Sequence, residues 1–308
     1  MRKLMPESKD EILSLSWMVR AMESLCETHN DIKTLITDLD LPVSDWDEKW
    51  IDVYLDISLK LLDICIAFSS ELSRLNQGHL LLKCTLHNLD SASSNQFVCA
   101  CSSLDGWRQH INSGNPRIEK CSSILDNLEG SLDLPKVKNS AKGKVLMQAM
   151  YGVKVETVFI CRLFAAAFSG SAKKLLELHV ADTYSWAESF TSLQNLVNEE
   201  IRIIFSNGKF TALKELETVD SCVKKLYPTI QGDSVTVETE TESLMKTIDD
   251  LGRAAEKLSQ GLDLLAKAVD AFFQALLTGR DALLSNLRSG GIVNNPMPGV
   301  NKNSSSSP

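Results

Sequence analysis

The chain has 308 residues, a formal net charge of −8 and a pI near 5.3. Hydrophobic residues make up 44%, charged residues 23% and aromatics only 6%, a balance that suits helices over sheets. Non-specific nucleic-acid binding shows an excess of Lys and Arg; that excess is absent, so no nucleic-acid partner is expected.

The periodicity predicts a first helix from Pro6 to Asp38. Ile12, Leu15, Met18, Met22, Leu25, His29, Ile32 and Ile36 form one apolar stripe, and Pro42 follows the end. A second helix opens at "VSDWDEKW", where Ser44 and Asp47 read as a capping box, and continues to Leu89 along Trp50, Tyr54, Ile57, Leu61, Ile64, Phe68, Leu72 and Leu75. Gly78 is a candidate kink. After the loop "DSASSN", shorter helices are expected from Gln96 to Ile111 and from Pro116 to Leu132.

The connection "DLPKVKNSAKGK" leads to a long helix from Ser140 to Phe168, stopped by "SGSA". Its stretch "VKVETVFICRLFAAAFSGSA" is the nearest approach to a membrane span. Glu156 and Arg162 interrupt it, so a buried core helix is the reading. Helical segments follow at 172–180, 183–206 and 209–226, with "YPTIQGDS" as a loop. The last helix, 239–288, has the clearest period: Leu244, Ile248, Leu251, Ala255, Leu258, Leu262, Leu265, Val269, Phe272 and Leu276 alternate steps of four and three. Leu264, Phe273 and Leu277 widen this seam, which favours packing inside the chain's own bundle; pairing between chains through 244–276 is the other use. The Gly-, Asn-, Pro- and Ser-rich end reads as a disordered tail. No strand pattern survives. The expected architecture is an all-α bundle of long antiparallel helices: a short N-terminal segment 1–9, an all-α domain 10–290, and a tail 291–308.

Chemistry is sparse. "SLCETHNDIK" gathers Cys26, Glu27, His29 and Asp31, all metal-capable types. Cys26 and His29 share a helix face, yet a zinc site takes three or four ligands, and both residues continue the apolar stripe. No HExxH, CxxC pair, GxSxG or GxGxxG is present, and "AKGKVL" lacks the first Gly and the Ser or Thr of a phosphate loop. No metal, cofactor or catalytic residue is assigned. The eight cysteines, Cys26, Cys65, Cys84, Cys99, Cys101, Cys121, Cys161 and Cys222, mostly sit in apolar helical patterns. With a start too polar for a secretory signal, they read as reduced thiols of an intracellular protein.

One stretch stands out electrostatically. From Leu134 to Val155 there is no acidic residue, while Lys136, Lys138, Lys142, Lys144 and Lys154 are present. Cations at a helix start are disfavoured by a few tenths of a kcal/mol, roughly. Lys136, Lys138, Lys142 and Lys144 are therefore candidate contacts for an anion, an acidic protein partner or a membrane surface.

Long blocks resemble the plant BYPASS family: "SWMVRAMESLCETHNDIKTLITDLDLPVSDWDEKWIDVYLDISLKLLDICIAFSSELSRLNQGHLLL", "NPRIEKCSSIL", "LPKVKNSAKGKVLMQAMYGVKVETVFI", "FAAAFSGSA", "VKKLYPTIQ" and "FFQALLTGRDALLSNLR". The resemblance implies a regulator of root and shoot development that restrains a root-derived, carotenoid-linked mobile signal, with no enzymatic activity and no catalytic residues to carry over. Family members often carry a polar leader before the first helix. Residues 1–9 are too short for a transit peptide, so the expected location is cytoplasmic, with a membrane surface or plastid as the alternative. The expected function is non-catalytic, through an unknown protein partner or a membrane surface. The alternative is a binder or modifier of an apolar, isoprenoid-like molecule in a pocket lined by the helix from Val145 to Phe168.

Overall fold

Helix after helix is amphipathic in this chain, and the folding problem is to cover each apolar stripe with another. The computed structural model describes residues 2–39, 49–90, 94–130, 132, 141–175, 177–209, 211–231 and 238–292. Among these are eight α-helices and no strand: α1 Leu15–Asp38, α2 Lys49–Asp90, α3 Ser94–Asn112, α4 Pro116–Gly130, α5 Ala141–Ser169, α6 Ala187–Ser206, α7 Lys214–Gln231 and α8 Glu238–Ile292. The expected capping box at Ser44 lies outside the described residues; of the expected tail 291–308, residues 291 and 292 continue α8 and the rest lie outside the described residues.

Helix α8 is the longest and packs against α1, α2 and α7. Its heptad seam is spent inside the chain: Leu251, Leu262, Leu265, Val269 and Phe272 are wholly buried. Phe273 and Leu277 widen the seam as half-buried contacts, but Leu264 does not. It is 56% exposed, on the far side of the helix from the core. Helix α2 runs antiparallel to α8, with Leu86 beside Gly252 and Tyr54 beside Gly279. Helix α1 runs parallel to α8, since Leu15 meets Gly261 and His29 meets Phe272. Helices α3 and α4 cover other faces of α2, and α5 lies against α1 and α4.

Several boundaries differ from the periodic reading, each for a local reason. Helix α1 begins at Leu15, not Pro6. Leu13 has φ of 58°, a left-handed conformation no helix interior accepts. Ser14 Oγ then accepts the Trp17 amide at 3.2 Å. The Glu215 carboxylate, from the start of α7, accepts the Leu15 amide at 3.1 and 3.2 Å. Ahead of this cap the chain makes two 3-10 turns, Arg2–Leu4 and Lys9–Glu11. Leu4 is buried, and its carbonyl accepts Trp17 Nε1 at 3.0 Å. Burial of Ile12 and Leu13 offsets the strain of the left-handed residue, which costs about 1–2 kcal/mol.

Helix α2 continues through Gly78. The glycine serves approach rather than bending: a Cβ there would stand 3.2 Å from His110 Cδ2 and Ile111 Cδ1 of α3. The segment expected to be helical at 172–180 holds only one 3-10 turn, Ala172–Lys174. Beyond it, buried Gln194 of α6 takes over the backbone pairing. Its Oε1 accepts the Leu178 amide at 2.8 Å, and its Nε2 donates to the Leu178 carbonyl at 3.2 Å. Tyr184 stacks on Tyr151 at 5.1 Å, and α6 starts only at Ala187. Helix α7 begins at Lys214 rather than 209, after Gly208 at φ 73° and a turn in which Thr211 Oγ1 accepts the Leu213 amide. It then runs through Pro228, where a loop was expected, because Leu226 and Ile230 on either side are buried.

A main core runs through the bundle. A second, smaller cluster of Ile32, Ile51, Tyr54, Leu146, Met147, Met150 and Leu283 closes the end where α2 and α5 begin. The tightest approach is at Gly261, where an added Cβ would stand 2.6 Å from Leu15 Cδ1 and 3.0 Å from Leu15 Cβ. Gly261→Ala is expected to destabilise by about 1–3 kcal/mol through overpacking. Gly130→Ala, with nothing within 4 Å of the new Cβ, is expected to be neutral or to stabilise by up to about 1 kcal/mol. Urea unfolding of both variants beside the parent checks the opposite signs.

Candidate functional site between helices α1 and α5

Helix α5 is buried on every side from Lys154 to Ala167, so its polar side chains there must find partners inside the protein. Arg162 does so toward α4, pairing with Asp126 at 2.5 Å and Glu129 at 3.2 Å. Glu156 does so toward α1. Ser24 Oγ donates to its Oε1 at 3.0 Å, and the Thr28 hydroxyl lies 3.4 Å from its Oε2 and 2.6 Å from the Ser24 carbonyl. One turn along, His29 Nε2 lies 3.1 Å from Thr157 Oγ1. Thr157 spends its own hydrogen on the Val153 carbonyl at 2.7 Å. The Thr157 oxygen therefore accepts, and His29 carries its proton on Nε2.

Burial sets the electrostatics. It pulls the His29 pKa down to about 4 and pushes the Glu156 carboxyl up, with the Ser24 and Thr28 hydroxyls opposing the rise. It also pushes the Cys26 thiol up to about 11, helped by the nearby Glu23 charge. Cys26 is thus a neutral thiol, and His29 Nε2 is already taken by Thr157, so of this pair only His29 Nδ1 offers a lone pair without loss of a proton. His29 also sets its ring edge-on to Phe272 at 5.1 Å. Among the described residues, no three His, Cys, Asp or Glu side chains converge as a metal group would need. None of the eight cysteines is in a disulfide; Cys65, Cys121 and Cys161 are buried, while Cys84 and Cys99 are exposed.

Beside His29 and Thr157 lies a cavity of about 30 Å³, edged by Tyr54, Ser58, Met150 and Lys154. A space of that size holds one or two waters. Small-molecule pockets are about 300–1,000 Å³. The helix from Val145 to Phe168, expected to line an apolar pocket, is instead packed against its neighbours over its middle turns.

The basic stretch is divided by the fold. Lys142 and Lys144 stand exposed on the first turn of α5. Lys142 Nζ donates to the Leu39 carbonyl at 2.7 Å, placing a cation on the negative end of α1. Lys154 is buried at 5% exposure and belongs to the core. Lys136 and Lys138 lie outside the described residues. The periodic reading missed Ser24, Thr28 and Thr157 as partners of the buried groups. Their signal was faint: hydroxyls on the flank of the α1 stripe, facing a helix too apolar to be a surface helix.

The fold and the site together define an all-α bundle whose internal polar groups hold helices to one another. The chain belongs to the BPS1 family: the family model described as Protein BPS1 matches residues 21–284. It is 60% identical over 289 residues to "Protein BPS1, chloroplastic" of Arabidopsis thaliana, covering 94% of this chain and 80% of that protein. It is 37% identical over 397 residues to "UPF0496 protein 4" from both the indica and japonica subspecies of Oryza sativa, covering 94% of this chain and 87% of each relative. No solved structure matches the chain. The BYPASS resemblance read from the sequence is thereby established, and with it membership of a plant developmental regulator family.

The α1–α5 contact makes stability depend on pH in a defined sense. The folded pKa of Glu156 is raised, so its contribution is full below the ordinary carboxylate range and is lost as pH rises through the raised value. His29 is depressed from 6.5 to about 4, so its contribution is present above 6.5 and is lost as pH falls toward 4. Glu156→Gln is expected to abolish the loss on the rising side and to keep the loss below pH 6.5. Urea midpoints measured from pH 4 to pH 8 check it; a rising-side loss unchanged in the variant refutes the assignment.

Proposed function

We propose that this protein is a non-catalytic regulator of plant root and shoot development that acts by contact with a protein or membrane surface, restraining production of a root-derived mobile signal. The observation that carries the reading is membership of the BPS1 family over most of the chain. The site supports it. Buried Glu156, His29 and Arg162 are all engaged in holding helices, and the cavity beside them, about 30 Å³, is too small for an isoprenoid-like ligand. Binding or modification of an apolar small molecule is therefore the weaker reading.

The α8 seam faces inward, so contact falls to exposed surface such as the start of α5, where Lys142, Lys144 and half-exposed Val145 sit together. Among the described residues no helix is long and apolar enough to cross a membrane. The Arabidopsis relative is named chloroplastic, which supports the plastid over the cytoplasm as the place of action.

Lys144→Glu leaves the Lys142–Leu39 contact intact and is expected to keep the parent's melting midpoint within about 1 °C, since exposed substitutions cost about 0.5 kcal/mol or less. Combined with Lys136→Glu, Lys138→Glu and Lys142→Glu, it is expected to abolish both partner capture and rescue of a plant lacking the gene. Full rescue by the quadruple variant removes the basic segment from the mechanism. A fluorescent fusion of the native gene product reads the compartment, with plastid fluorescence expected.

A further inference from the structure

Another opening on the described surface lies where the turn between α3 and α4 meets α2. It is an open cleft of about 690 Å³, within the range of small-molecule sites. One of its lining side chains, Arg74, is held from behind by an ion pair. Glu71, 1% exposed, takes two hydrogen bonds from Arg74, from Nε at 2.9 Å and from Nη2 at 2.6 Å. Arg74 Nη1 donates to the His110 carbonyl at 2.5 Å, and His110 Nε2 donates back to the Arg74 carbonyl at 2.7 Å. Asn115 Nδ2 reaches Ser70 Oγ at 3.4 Å, so the turn is bonded to α2 at two places.

A guanidinium has five N–H donors. Glu71 and His110 take three of them, leaving one on each terminal nitrogen of a side chain that lines the cleft. Arg117 enters the same cleft, exposed and with no hydrogen bond or ion pair from its side chain. Two guanidinium groups, one pre-oriented by a buried carboxylate, match an oxyanion that accepts several donors at once. The rest of the lining differs in character: Ser69, Ser73, Gln77 and Asp270 offer hydroxyl, amide and carboxylate groups, and Ile66 and Phe273 add apolar surface. A carboxylate there repels a second anionic group and accepts from hydroxyls.

We propose that this cleft binds a phosphate monoester of a hydroxylated small molecule, the sugar-phosphate class. Arg74 and Arg117 hold the phosphoryl oxygens, and Asp270 and Gln77 take the hydroxyls. The site is independent of the basic segment of α5.

The test uses the full-length protein and three probes, glucose 6-phosphate, inorganic phosphate and glucose, read by thermal melting and by 31P line broadening of the two phosphates. Glucose 6-phosphate at 10 mM is expected to raise the melting midpoint by about 2 °C and to broaden in the 31P spectrum. Inorganic phosphate is expected to act at least tenfold more weakly, and glucose not at all. Arg117→Glu, on an exposed position, is expected to remove the response with the unliganded midpoint unchanged. Arg74→Gln alone strands buried Glu71, so the paired change Glu71→Gln with Arg74→Gln serves instead; it is expected to weaken binding at least tenfold. Absence of any response to glucose 6-phosphate overturns the proposal. So does a response that survives Arg117→Glu, or one equalled by inorganic phosphate, which would leave a simple anion contact.

Discussion

The dry contact between α8 and the helices seated on it is the constraint from which the rest of the structure follows. Leu251, Leu262, Leu265, Val269 and Phe272 have no exposure at all, and each buried side chain of this size is worth about 1.5–3 kcal/mol. Glycines of α8 let the seam be approached closely. At Gly261 the backbone of α8 comes within side-chain contact of Leu15, and at Gly279 it meets the Tyr54 hydroxyl. Once α1 is held there with its apolar stripe turned to α8, its flank of Ser24, Thr28 and His29 must face α5. Those hydroxyls meet a carboxylate that the same packing has buried.

Helix α5 shows how an interior helix reconciles apolar burial with charge. Arg162 and Glu156 look like defects in a membrane span when the sequence is read alone. In the bundle they are attachments to opposite neighbours, Arg162 to α4 and Glu156 to α1. Removing the acidic partners of Arg162 leaves a buried guanidinium unpaired, which costs more than the pair contributes. The polar groups therefore specify which helices lie beside α5. The surface is uneven: cations at the start of α5, and a cleft with ordered guanidinium groups over α2.

Much of the architecture was legible because long helices repeat their signal. The step of three and four along α8, the stripe of α1 and the dense apolarity of α5 around Glu156 and Arg162 each persist over several turns, and each is largely buried as the pattern required. What was not legible depends on single residues acting across the chain. Leu13 turns left-handed because Glu215, far away in sequence, caps the amide of Leu15. Leu178 stays out of a helix because Gln194 occupies its backbone groups. Pro228 sits in a helix because its neighbours are buried. The same limit applies to function. Lysines at 142 and 144 were visible as charge, but Lys142 as a cap on α1 was not, and neither was the Glu71–Arg74–His110 network.

The parallel pairing of α1 with α8 carries a consequence for how the protein is made. Helix α1 leaves the ribosome before the other described α-helices and α8 after them, yet they share the seam at Gly261 and Phe272. Chains elongate at about 5–20 residues per second, so the stripe of Trp17, Met18 and Met22 waits on the order of tens of seconds for its cover. Contacts between the ends of a chain form late and leave apolar surface open to other chains meanwhile. Early helices can pair among themselves, as α2 does with α3 and α4 through short connections. Before α8, α1 meets α5 and, through Glu215, the start of α7. Production of this fold in a heterologous host is thus governed by what shelters its first helix, and co-expression with a chaperone that holds nascent apolar segments suits it better than slower folding in a test tube.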